Sequence, residues 1–108
     1  MTITEKLNEV TSVPMYATIA PSVMPPYAVY SYSRFPCDHG DDECNTDIYN
    51  VLINLYCKSG IESTKDNLIR DMENKGFVFN QCANTMLDAT GYYNTPLTFK
   101  IYINREDN

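Results

Sequence analysis

The feature that most constrains this chain is a long alternating strand that passes into a helix with almost no loop between them. From Asp47 the sequence runs Asp-Ile-Tyr-Asn-Val-Leu-Ile-Asn-Leu-Tyr-Cys-Lys-Ser-Gly-Ile-Glu-Ser-Thr-Lys-Asp-Asn-Leu-Ile, ending at Ile69. Successive side chains of a strand point to opposite faces, so Tyr49, Val51, Ile53, Leu55 and Cys57 share one face. After them the period changes. Ser59 followed by Glu62 predicts a capping box, and Ile61, Leu68, Ile69 and Met72 recur at helical spacing until Gly76 ends the run. Neither element carries a polar constellation of a catalytic kind, so the first expectation is a protein that works by assembling.

The flanking segments extend this pattern. Residues 2 to about 13 are expected to form a short helix capped by Thr2, with Ile3, Leu7, Val10 and Val13 on one face. Met15 to Pro26 holds Pro21, Pro25 and Pro26 among apolar residues, which excludes a regular central strand or helix and predicts an extended arm. Ile19, Val23 and Met24 would be costly to leave in water, so the arm is expected to pack on its own sheet or on a neighbouring subunit. Tyr27 to Phe35 is strand-like and pairs, as an antiparallel hairpin, with the strand from Asp47 across a polar loop at 36–46. Phe77 to Asn80 is a short strand, and Gln81 to Ala89 gives no clear pattern. Tyr92 to Asn104 alternates again, with Tyr93, Leu97, Phe99, Ile101 and Ile103 on one face and Tyr92, Thr98, Lys100 and Tyr102 on the other. Pro96 predicts an edge position or a bulge. The order gives one α+β domain of about four mostly antiparallel strands, two main helices on one face and a Pro-rich arm.

Composition narrows the function classes. At 108 residues the chain can hide roughly two thirds of its unfolded surface, so no disulfide or metal staple is required. The net charge of −6 disfavours tight nucleic-acid binding. Met-Thr-Ile-Thr-Glu-Lys is not the start of a signal peptide, and no apolar run approaches a membrane span, so the expected compartment is a cytoplasm. Cys37, Cys44, Cys57 and Cys82 lack paired close spacings and are expected to be free thiols there, although Cys37 and Cys44 flank one loop closely enough to bridge if oxidised.

That loop, Cys37-Asp-His-Gly-Asp-Asp-Glu-Cys44, is the sole candidate metal site, because it gathers two thiols, the only histidine and four carboxylates. Its spacing matches neither a zinc knuckle nor a calcium-binding loop, and a solvated hairpin tip accounts for it better. His39 in an exposed acidic loop is poorly placed to activate a nucleophile, and Asp38, Asp41, Asp42 and Glu43 are expected to be solvated with ordinary pKa values. There is no Gly-rich phosphate loop. The expectation is no catalytic residues, no cofactor and no metal. A ring of such acidic tips around a pore would repel a passing duplex from the wall.

Three stretches in order carry a family resemblance: Pro26-Tyr-Ala-Val-Tyr30; Tyr49-Asn-Val-Leu-Ile-Asn-Leu-Tyr-Cys-Lys-Ser59 running into the helix; and Gly91-Tyr-Tyr leading to Leu97-Thr-Phe-Lys-Ile-Tyr-Ile103. Over roughly residues 1 to 104 the chain resembles the tail completion or tail terminator proteins of long-tailed bacteriophages, which sit between the tail tube and the head connector. The resemblance implies a structural virion protein without catalytic residues. It also implies a ring, commonly of six copies, that caps the tail tube, docks the head-tail connector and meets DNA only as it passes through the lumen. The acidic tip has no counterpart in the family's motifs.

The competing expectations are a head-tail adaptor or other neck protein, a small ligand-binding α+β domain, and a metal-dependent enzyme built on the Cys37 to Cys44 loop. Candidate interface residues are Ile19, Val23, Met24, Tyr30, Tyr32, Tyr56 and Tyr102, the tyrosines being assigned to the less apolar faces of their strands. Asp38, Asp41, Asp42 and Glu43 are assigned to a lumen or a partner. Changing all four to Asn or Gln is expected to leave the fold intact while altering assembly or DNA passage, because an exposed tip contributes little to the core. Stoichiometric zinc in the purified protein, or unfolding of Cys37→Ser, would overturn the metal-free reading.

Overall fold

The alternation and the helical spacing correspond to an α+β fold in a computed structural model that describes residues 2–17, 24–36, 46–89 and 91–104. In chain order it contains α1 (Ile3–Asn8), β1 (Met15–Ala17), β2 (Tyr27–Pro36), β3 (Thr46–Cys57), α2 (Ile61–Asn74), β4 (Val78–Cys82), β5 (Met86–Leu87) and β6 (Tyr93–Asn104). The sheet order is β1-β2-β3-β6-β4, with β5 also paired to β6. It is mixed: β1 runs parallel to β2 and the other pairings are antiparallel.

The sheet thus has six strands where four were expected. One addition, β1, lies at the start of the stretch whose prolines predict an arm. Three residues there, Met15 to Ala17, align with Ala28 to Tyr30, and the Ala28 amide donates to the Pro14 carbonyl at 2.9 Å. As an edge strand β1 needs ladder bonds on one side only, which is compatible with nearby prolines. The other addition, β5, occupies two residues of the patternless stretch.

Both helices bury their apolar sides in one cluster on one face of the sheet. Ile3 and Leu7 of α1 and Leu68 and Met72 of α2 join Val51, Ile53, Leu55, Cys57, Leu97, Phe99, Ile101 and Ile103. Thr2 caps α1 as expected, in a reciprocal box: its hydroxyl accepts from the Glu5 amide at 3.2 Å, and Glu5 accepts from the Thr2 amide at 3.2 Å. The Thr2 amide, together with the Thr2 hydroxyl donating to the same carboxylate at 3.1 Å, holds Glu5 below its usual pKa. The helix is shorter than expected, ending at Asn8, yet Val10 and Val13 are still buried. What holds this connector is Asp71 of α2, whose Oδ2 accepts from the Thr11 and Ser12 amides at 2.9 and 3.0 Å.

The box expected at Ser59 and Glu62 does not form. Gly60 is the N-cap of α2, in a left-handed conformation (φ 66°) that turns the chain within three residues of β3, and it makes no side-chain cap bond. Ser63 Oγ instead donates to the Gly60 carbonyl at 3.1 Å. At the other end Gly76 (φ 95°) closes the helix in a Schellman turn, with Phe77 N donating to Met72 O and Gly76 N to Glu73 O.

Pro96 overturns the edge expectation for the last strand. β6 is interior, with β3 on one side and β4 and β5 on the other. The Pro96 carbonyl accepts from Ala83 N at 2.9 Å, so the proline nitrogen faces the same side, where β4 has ended and β5 has not begun. The missing donor therefore costs no ladder bond. The irregularity sits in the neighbour, as a register shift between Phe79 and Gln81. The gap also lets Thr85 reach Thr95, the two hydroxyls lying 2.7 Å apart, which satisfies a fully buried polar residue.

Leu68→Ala, at the centre of the helix-to-sheet contact, is expected to cost about 3 kcal/mol, and Gly60→Ala about 1 kcal/mol because of its backbone conformation. Urea unfolding with an unchanged m-value would measure both; equal losses at the two positions would contradict this account.

Candidate functional site

With both helices on one face, the strand pairings assign the residues of the other. Across the strands its rows are Tyr27, Tyr56, Asn94 and Met86; then Val29, Asn54 and Pro96; Ser31, Leu52, Thr98 and Gln81; Ser33, Asn50, Lys100 and Val78; and Phe35, Ile48 and Tyr102. Tyr102 is 57% exposed, Val78 55%, Phe35 49% and Leu52 38%. These rows contain one charged residue, Lys100, and no carboxylate, although a fifth of the chain is charged and acids outnumber bases 14 to 8. Such a surface has the composition of a protein interface core, rich in aromatic residues and depleted of charge.

The face is not uniform. At one end Tyr27 stacks on Tyr56 with ring centroids 4.9 Å apart and meets the edge of Tyr16 at 6.3 Å. Tyr92 Oη donates to Met24 Sδ at 3.9 Å nearby. Burial pushes the Tyr27 phenol above its usual pKa. The middle is a groove of about 510 Å³ lined by Ser31, Ser33, Asn50, Leu52, Asn80, Thr98 and Lys100. Asn80 reaches it because the register shift in β4 falls at that residue. The other end, next to the hairpin connection, is the apolar row of Phe35, Ile48 and Tyr102.

Tyr56 and Tyr102 do stand on this face. Tyr30 and Tyr32 do not, which corrects their assignment. Tyr30 pairs with Ile53 and is only 6% exposed in the core, where burial raises its pKa. Tyr32 pairs with Val51 on the helix side, 44% exposed and edge-on to Tyr49 at 5.7 Å. The sequence misled here because both faces of β2 mix aromatic and polar residues, so its pairing with β3 decides which faces the helices. Met24 is exposed, whereas Ile19, Val23, Cys37, Asp38, His39, Asp41, Asp42, Glu43 and Cys44 lie outside the described residues.

Among the described residues no group of three or more His, Cys, Asp and Glu side chains could hold a metal ion. Cys57 is buried and free, and burial raises its thiol pKa despite a hydrogen bond with Thr64; Cys82 is free and half-buried. Asp47, which the sequence offered as a strand start, is buried on the core face with its Oδ2 3.9 Å from Arg34 Nη1. Among the described residues no helix is long and apolar enough to cross a membrane. No protein-family model and no curated protein sequence matches the chain.

Truncation separates the two kinds of tyrosine. Tyr30→Ala should cost about 3 kcal/mol of monomer stability, whereas Tyr102→Ala should cost less than about 0.5 kcal/mol and instead impair assembly. Thermal unfolding of each variant, read beside its state of association, checks this; a large loss of stability for Tyr102→Ala would make the open face part of the monomer's own packing.

Proposed function

We propose that this chain is a structural protein of a bacteriophage tail or neck, forming a ring that terminates the tail tube and joins it to the head connector. The observation that carries the reading is the open sheet face: broad, aromatic, without a carboxylate in its strand rows and uncovered by either helix. A surface of that kind is costly to leave in water and has the composition of one built to meet another protein. The three stretches that resemble tail terminator proteins give the reading its identity, and they lie in β2, in the β3-to-α2 segment and in the approach to and body of β6.

The ring itself, commonly of six copies in proteins of this kind, would close head-to-tail. The sheet has two ends, β1 beside β2 on one side and β4 on the other, and a heterologous contact that closes leaves no free edge. Tail tube protein would meet one side of the ring and the connector the other, with DNA passing through a lumen that an acidic chain repels. A position one step closer to the head, as an adaptor, rests on the same features and differs only in its neighbours. The protein would be assembled in the host cytoplasm and reside in the virion.

Imaging of assembled particles tests the proposal. A ring of copies at the head-proximal end of the tube is expected, together with particles that fail to join heads to tails when the gene is deleted. A single copy there, or none, would overturn it, even if the isolated protein is monomeric in dilute solution.

A further inference from the structure

The groove in the middle of the open face has a chemistry that the assembly reading does not by itself explain. Its volume, about 510 Å³, falls in the range of sites that hold a ligand or a peptide segment. Ser31, Ser33, Asn50, Asn80 and Lys100 all line it, and no side-chain partner is found for any of them among the described residues. Thr98 is already committed, donating to the Gln81 carbonyl at 3.3 Å. The hydroxyls and amides can donate or accept, whereas the ammonium can only donate. With no carboxylate on any row of the face, the groove suits an acceptor-rich, anionic and extended occupant.

The chain supplies one. Asp38, Asp41, Asp42 and Glu43 fall within the connection between Pro36 and Thr46. We propose that the groove of one copy receives the acidic segment 38–43 of a second copy. A second copy is favoured over the same copy by the row between. Phe35 and Tyr102, in the row between the ends of β2 and β3 and the groove, stand exposed in the single copy. A contact from the tip of one copy to the groove of the next is heterologous, the type that generates rings. It rests on the ring reading only for bringing copies side by side, and it gives the acidic tip a role between subunits.

The test uses the isotope-labelled full chain with Asp38→Asn, Asp41→Asn, Asp42→Asn and Glu43→Gln, so that its own segment does not compete. The probe is a synthetic peptide of residues 37–45 with both cysteines replaced by serine. Saturable amide shifts are expected at Ser31, Asn50, Asn80 and Lys100. A peptide with its acids changed to amides should bind about tenfold more weakly, and Lys100→Glu should lose about tenfold for the acidic peptide. Binding to Lys100→Glu should return with a peptide carrying Asp41→Lys and Asp42→Lys, while the dispersion of the same spectra reports that each variant is folded. Shifts that are absent or lie off the open face, equal binding of the neutral peptide, or failure of the charge swap would overturn the proposal. Particles without a ring of this chain would end the neck reading and leave these shifts as they are. Absent shifts in a protein that does form the ring would end only this contact.

Discussion

The antiparallel ladder between β3 and β6 is the constraint on which the rest of the molecule depends. It runs through all 12 residues of β3, from Thr46 opposite Asn104 to Cys57 opposite Tyr93. Because the side-chain period of a strand is two, this register puts Tyr49, Val51, Ile53 and Leu55 on the same side as Ile101, Phe99, Leu97 and Thr95. A slip of one residue would turn either row into water. The helices follow from that choice: only three residues separate β3 from α2, and Gly60 among them sends the helix back over the apolar rows.

Closing one face leaves the other open, and charge is distributed accordingly. Glu62, Asp66 and Glu73 lie exposed on α2, and Asp71 is spent on the amides of Thr11 and Ser12. Asp47 is buried with Arg34 beside it. None of these carboxylates lies on the rows of the open face. For a chain of net charge −6, the strand rows of that face are depleted of negative charge, and Asp88 acts on it only at the Tyr27 end. Its two ends are aromatic or apolar and its centre polar and hollow.

The shape of this face depends on small differences in pairing. The register shift at Phe79 and Gln81 lets β4 bring Asn80 to the groove, and the gap between β4 and β5 admits both the proline in an interior strand and the Thr85 to Thr95 contact. These departures from a regular ladder lie on one flank of β6. They shape the flank of the open face where β4 ends, while the β3 side of the same strand stays regular.

Elements with strong periods were legible from local side-chain order alone. The β3 alternation, the spacing of Leu68 and Met72, the Thr2 cap and the long last strand are each set by local side-chain order, which hydrophobic period and capping chemistry report directly. Tertiary structure decided what local order leaves open. β2 carries aromatic and polar residues on both faces, so only pairing with β3 put Tyr30 in the core and Ser31 in the groove. Met15 to Ala17 and Met86 to Leu87 are too short to show a period, and they became strands because a long neighbour offered unpaired backbone groups. Gly60, left-handed at the junction of β3 and α2, stands as the cap in place of the Ser59 box. The open face, a property of how six strands and two helices are stacked, could be seen only once the covered face was known.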